Sequence, residues 1–235
     1  MELKNIRWNK QSAQEFQTYL KSLERKEKVD WTRRIINTKM PLLAIPTPEL
    51  RKMANEISKG DFVSFLDLQL NEFYENYAIN GFLLTHLTDM PELGTRLKAY
   101  TEKVDNWALC DILKFKVTNK TVDKFYALSL ELLNSTFTFS RRMGIILWFE
   151  MIKFQTDLDK IFDIIPTLKG EQEYYVNMAL AWFIAECFIK ARDKTLDLLS
   201  SKVLNQFVTN KAISKCRDSF RVSKIDKEML LTLRI

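Results

Sequence analysis

Residues 171–190 read EQEYYVNMALAWFIAECFIK, and the fold class turns on whether this stretch is strand or helix. Strands run about five or six residues and helices about eleven or twelve. An apolar span of this length, free of Gly and Pro, with its bulky residues at helical rather than alternating spacing, reads as one long buried helix ending near Ala191. Working outward, Glu72–Thr88 has the same apolar character, and Arg141–Phe154 forms another helix. Residues 10–37 are charged, with apolar positions at Phe16, Tyr19, Leu20, Leu23, Ile35 and Ile36, the pattern of two amphipathic helices.

The remaining segments obey the same grammar. Met40–Pro48 is a proline-punctuated connection; Thr47 suits an N-cap, Pro48 the first helical position and Glu49 the first turn of a helix over 48–58. Asp61 opens the next element. Pro91 and Gly94 punctuate the chain before 92–104, and Asp105 or Asn106 can cap a helix carrying Trp107. Helices follow over 121–134, 157–168, 193–208 and 209–221, then a short basic tail through Lys224, Lys227 and Arg234. No strand or hairpin signal interrupts this series. The bulkiest apolar helices recur near residues 51, 81, 110, 145, 182 and 215, at intervals of roughly 30–37 residues, close to the period of paired-helix solenoids. The expected architecture is all-α, a single HEAT-like solenoid over 1–235 with a concave face for a rod-like partner.

Composition narrows function by exclusion. Hydrophobic residues make up 46% of the chain, enough for a substantial core, while only 5 Gly and 5 Pro argue against an all-β protein. No apolar run is long enough to cross a membrane and the N-terminus lacks a signal-peptide core, so a cytoplasmic, soluble protein is expected. Cys110, Cys187 and Cys216 are odd in number and far apart, which fits reduced thiols. The single histidine, His86, reads as structural and nearly rules out a histidine triad or a His-rich metal site; neither a Walker A loop nor GxGxxG is present. Residues 1–59 hold 13 Lys/Arg against 7 Asp/Glu and residues 191–235 hold 10 against 5, whereas 60–190 is acidic. Basic ends point to a polyanion such as nucleic acid.

Two clusters could carry chemistry. Trp107 and Asp111, four residues apart, share one face of a helix, and an aromatic face beside a carboxylate suits a flat cation. A core Trp with a solvent-facing Asp satisfies the same spacing. Lys211 with Lys215, and Arg217 with Arg221, form adjacent basic stripes; a polyanion partner or a charged solvent face explains them equally. Trp8 and Trp148 read as packing residues, Glu186 as solvated or capping, and Cys110 lacks a histidine partner that would make it a nucleophile.

Four pieces together resemble a known family. They are Ile45–Ala54 (IPTPELRKMA), Asp105–Asp111 (DNWALCD), Arg141–Leu147 (RRMGIIL) and Ala179–Glu186 (ALAWFIAE), in order and covering most of the chain. They are similar to the HEAT-like DNA alkylation repair proteins, the AlkD-like alkylpurine DNA glycosylases. The resemblance implies hydrolysis of the N-glycosidic bond of N3- or N7-alkylated purines. It makes Asp111 the catalytic carboxylate and Trp107 and Trp182 aromatic walls. It makes Arg142, with Arg141 as the alternative, a phosphate contact; Lys211 and Lys215 are expected as further DNA contacts from their basic stripe alone, not from the resemblance. This chain carries Asn177-Met178 where the family's second Trp helix has a basic residue. The implied partner is double-stranded DNA carrying alkylated bases, bound by a monomer in a bacterial cytoplasm, without membrane, metal or cofactor.

Overall fold

The computed structural model describes residues 2–235, which form fourteen α-helices and two 3-10 segments, with no strand among the described residues. The all-α expectation holds. The chain divides into two compact units, one ending at Phe115 and the other Lys116–Ile235.

The first unit holds α1 (Lys10–Ser22), α2 (Lys26–Ile36), α3 (Thr47–Ile57), α4 (Phe62–Asp67), α5 (Tyr74–Leu84), α6 (Met90–Thr101) and the single turn α7 (Ala108–Asp111). Helix α5 is its centre, packed on α3, α4, α6 and α7. The core joins Leu50 and Ile57 of α3, Ile79 and Leu83 of α5, and Leu93 and Leu97 of α6. Under α1 the rings of Trp8, Phe16 and Phe65 meet edge to face, so Trp8 packs as expected. Helix α2 is the exception: only Ile36 is buried, while Trp31 and Ile35 face solvent.

Helix starts follow side-chain chemistry. Asn9 caps α1 by accepting from the Gln11 and Ser12 amides, Asp61 caps α4 and Asp89 caps α6. Pro91, expected to punctuate the chain, lies in the first turn of α6, where its missing N–H costs nothing. Helix α3 begins one residue earlier than expected: Pro46 is the N-cap and its carbonyl accepts from Glu49 and Leu50, so Thr47 does not cap. The connection before α3 is fixed from below by Glu75, a wholly buried carboxylate accepting the amides of Leu43 (3.1 Å) and Ile45 (3.3 Å). Those bonds hold Ala44 in the left-handed region (φ 56°). Beside it, the buried amides of Gln17 and Asn76 satisfy one another.

The second unit holds α8 (Val122–Leu133), α9 (Thr138–Phe149), α10 (Gln155–Ile164), α11 (Tyr174–Lys190), α12 (Arg192–Ser200), α13 (Gln206–Asp218) and α14 (Lys224–Leu231). Helix α11, the stretch that decided the fold, lies at its centre against α9, α12 and α13, and α9 packs in turn on α8. Gly144 permits that last contact: a Cβ there would sit 2.7 Å from the Ser129 carbonyl oxygen of α8. Trp148 is buried, as expected of a packing residue, and its indole N–H donates to Ser129 Oγ at 3.0 Å. Several boundaries differ from the sequence reading: the helix expected over Arg141–Phe154 spans Thr138–Phe149, and that over 157–168 is α10 followed by a 3-10 segment, Ile165–Gly170. The break expected near residue 208 falls at residues 201–205, where Lys202 takes a left-handed φ and Asn205 caps α13. The basic tail folds as α14, capped by Ser223. Helix on neighbouring helix, in both units, is the packing of an α-α repeat. Among the described residues no helix is long and apolar enough to cross a membrane.

Candidate functional site

Trp107 and Asp111 share one helical turn: the Asp111 amide donates to the Trp107 carbonyl at 3.1 Å. Both side chains are half-buried, while Ala108, Leu109 and Cys110 between them point into the core. So Trp107 is neither a core residue nor a freely solvated one, and the carboxylate lies on the same accessible side.

The turn is too short to hold itself, and its neighbours brace it. Sequence left open whether Asp105 or Asn106 caps it; the structure divides the work. Asn106 is buried and its Oδ1 accepts the Leu109 amide at 3.2 Å, which is the capping bond. Asp105 instead accepts from the Thr38 hydroxyl (2.6 Å), the Lys39 amide (2.7 Å) and the Asn106 side-chain amide (3.0 Å). On the far side the buried Tyr100 hydroxyl donates to the Leu109 carbonyl at 2.9 Å. Burial, with a smaller push from Asp105, raises the Tyr77 phenol above its ordinary value. The turn is thus held from α2, α6 and its own cap. Such bracing holds the side chains of the turn in one geometry.

In the second unit, α11 is buried on all sides but one. Tyr175, Met178, Trp182, Glu186 and Ile189, three or four residues apart, form a half-exposed stripe along it. Trp182 stands in the middle of the stripe, its ring 4.4 Å from that of Phe149 and tilted by 51°. Glu186, one turn further, accepts from Arg221 Nη2 at 2.5 Å, so it is paired rather than solvated. Asn177, on the buried side, donates to the Glu171 carbonyl and accepts from Asn205.

The two arginines of α9 have protein partners. Arg142 is 5% exposed and its Nη1 donates to the Tyr175 carbonyl at 2.5 Å. Arg141 grips Glu171 with Nε (2.7 Å) and Nη2 (3.2 Å), and its Nη1 donates to the carbonyls of Ser135 and Thr136 at 3.0 Å. Burial alone would raise the Glu171 carboxyl, but Arg141 and the amides of Glu173 and Gln172 outweigh it and hold it below the usual value. Both guanidiniums therefore fasten the start of α9 to the start of α11. Spacing alone could not have revealed these partners, which lie some thirty residues away.

Lys211 is exposed and Lys215 half-exposed on α13, and neither makes an ion pair among the described residues. All three cysteines are buried and unbridged. His86, exposed after α5, stands 6.3 Å from the Phe62 ring, away from the residues above. Trp107 and Asp111 thus belong to the first unit, and Trp182, Arg141, Arg142, Lys211 and Lys215 to the second.

A family model described as DNA alkylation repair enzyme matches residues 9–216, most of the chain, including Trp107, Asp111, Arg141, Arg142, Trp182, Lys211 and Lys215. Among curated proteins no match is found.

Proposed function

The chain belongs to the family of DNA alkylation repair enzymes, and from that premise we propose that it is a glycosylase hydrolysing the N-glycosidic bond of N3- and N7-alkylated purines in duplex DNA. Alkylation at either nitrogen makes the purine cationic, so the base departs as a neutral molecule carrying the bonding electron pair, and no strong general acid is required. Positive charge moves to the deoxyribose. Asp111 stabilises that oxocarbenium-like centre and orients the water whose oxygen bonds to C1′ and whose proton leaves to the carboxylate or solvent. Trp107 lies against the cationic sugar and base, an attraction of about 0.5–2 kcal/mol per ring. Trp182 supplies a second aromatic contact from α11. In this reading Arg142 and Arg141 hold α9 on α11, and Lys211 and Lys215 supply exposed charge for the phosphate backbone.

The observation that carries the reading is the pairing of Trp107 with Asp111 on one braced, half-exposed turn. A second reading, a DNA-binding protein without hydrolase activity, is favoured by the internal commitments of Arg141 and Arg142. One experiment separates them: release of 7-methylguanine and 3-methyladenine from methylated duplex DNA by wild type and by Asp111→Asn. Release by wild type, reduced about hundredfold or more in the variant, is expected. Equal release by both would remove Asp111 from the mechanism. No release by either, with DNA binding retained, would establish the second reading.

A further inference from the structure

We propose that the first unit carries a small-molecule site, a cleft walled by α5, α6 and the connection after α4, and that it takes a single aromatic ring with a hydroxyl or N–H donor at one end and an anionic group at the other. The cleft holds about 120 Å³. An apolar cavity of about 150 Å³ accommodates benzene, so the space is that of one ring. Leu66 and Leu84, both buried, and the rings of Tyr77 and Tyr100, whose centres stand 6.5 Å apart, supply its apolar wall. Trp107 and Asp111 do not line it. Tyr100 alone is shared, its ring in the wall and its hydroxyl given to the Leu109 carbonyl, so the cleft is separate from the candidate site and independent of the DNA reading.

Asn80 of α5 decides which end of the ligand enters. Its Nδ2 donates to the Leu70 carbonyl at 2.9 Å, which fixes the orientation of the amide. Its Oδ1 is buried and accepts from no group among the described residues. A buried acceptor without a donor is costly, and the O–H or N–H of a ligand relieves that cost. Charge at the cleft decides the other end. Arg96 lines the cleft but is committed to Asp67 at 2.7 Å and Glu92 at 2.9 Å. Lys103 also lines it, is exposed, and makes no ion pair among the described residues. No carboxylate lines the cleft: Asp67 and Glu92 are held by Arg96 outside its wall, and the exposed Glu102 beside Lys103 is not part of it. A free ammonium with no carboxylate in the same wall favours an anion over a cation.

The test is an NMR titration of the isotope-labelled full chain with 4-hydroxybenzoate, and with benzoate, phenol and toluene, which lack the donor, the anion and both. 4-Hydroxybenzoate is expected to bind best and to shift the Asn80 side-chain amide. Benzoate should bind about three- to tenfold more weakly, and phenol up to about fivefold more weakly, by a margin that added salt removes. Ala99 lines the cleft from an exposed position of α6, so Ala99→Leu fills it without removing a hydrogen bond or entering the core, and should abolish binding. Lys103→Gln should keep phenol binding and erase the preference for 4-hydroxybenzoate over phenol. Equal affinity for toluene and 4-hydroxybenzoate would overturn the assigned chemistry. Binding unchanged in Ala99→Leu, or failure of all four probes to bind wild type, would overturn the site and leave Asn80 Oδ1 to water.

Discussion

The Thr38 hydroxyl donates to the Asp105 carboxylate at 2.6 Å, a bond that joins residues 67 apart in sequence and fastens the end of α2 to the approach of the Trp107–Asp111 turn. The same carboxylate takes the Lys39 amide, so two consecutive residues after α2 converge on one side chain. The turn itself has four helical residues and could not keep its geometry alone.

Asp105→Ala leaves these donors without their acceptor. It is expected to lower stability by about 1–3 kcal/mol and to reduce base release with Asp111 still present. Thr38→Val, which removes one donor, should cost about 1 kcal/mol. Denaturant unfolding and base-release rates measured on the same preparations check both; full activity in Asp105→Ala would show that the brace does not set the geometry of Asp111.

Two glutamates give opposite pH signatures. Glu171 is held below its ordinary value of 4.5, chiefly by Arg141 against burial, so its contribution to stability is present above pH 4.5 and is lost as pH falls through its lower folded value. Glu75 is raised above 4.5 by burial, against the opposing amide bonds. Its contribution is present below pH 4.5 and is lost as pH rises through its higher folded value. Between those limits, Glu171→Gln should flatten a rise of stability with pH, and Glu75→Gln should flatten a fall. Unfolding free energies across the acid range, compared with wild type, check the two signs.

Gly144→Ala sets helix propensity against space. Alanine is better than glycine in a helix by about 1 kcal/mol. The added Cβ, however, meets the Ser129 carbonyl oxygen at 2.7 Å and the Leu133 side chain at 2.9 Å, and the carbonyl belongs to backbone that cannot rotate away. The expected net effect is destabilisation of about 1–3 kcal/mol, read as a lower denaturation midpoint. A neutral or raised midpoint would mean that α8 and α9 separate at little cost.

The thiols should be silent in the folded protein. Cys110, Cys187 and Cys216 are all buried. Burial, with Glu186 nearby, pushes the Cys216 thiol up to about 12 and that of Cys187 well above its ordinary value. An aromatic disulfide reagent at neutral pH should therefore react only as fast as the chain unfolds, and the three thiols should appear together in denaturant. Rapid labelling of one thiol in native buffer would expose a locally open segment.

Much of this protein is written locally. Apolar residues at helical spacing, the scarcity of Gly and Pro, and caps such as Asn9, Asp61 and Asp89 determine that the chain is helical and where most helices begin, because those signals act within one or two turns. The pairing of Trp107 with Asp111 is local as well, a consequence of 3.6 residues per turn. Tertiary structure decided the rest. It made Asn106 the cap and Asp105 the brace, and it committed Arg141 to Glu171 and Arg142 to Tyr175. It turned the basic tail into α14 and left Ile35 and Phe220 in solvent although both are apolar. The Asn106 cap is itself local, but most of the other outcomes depend on a partner, or the lack of one, from a distant part of the chain. Periodicity states which face of a helix prefers burial; only packing decides what covers it.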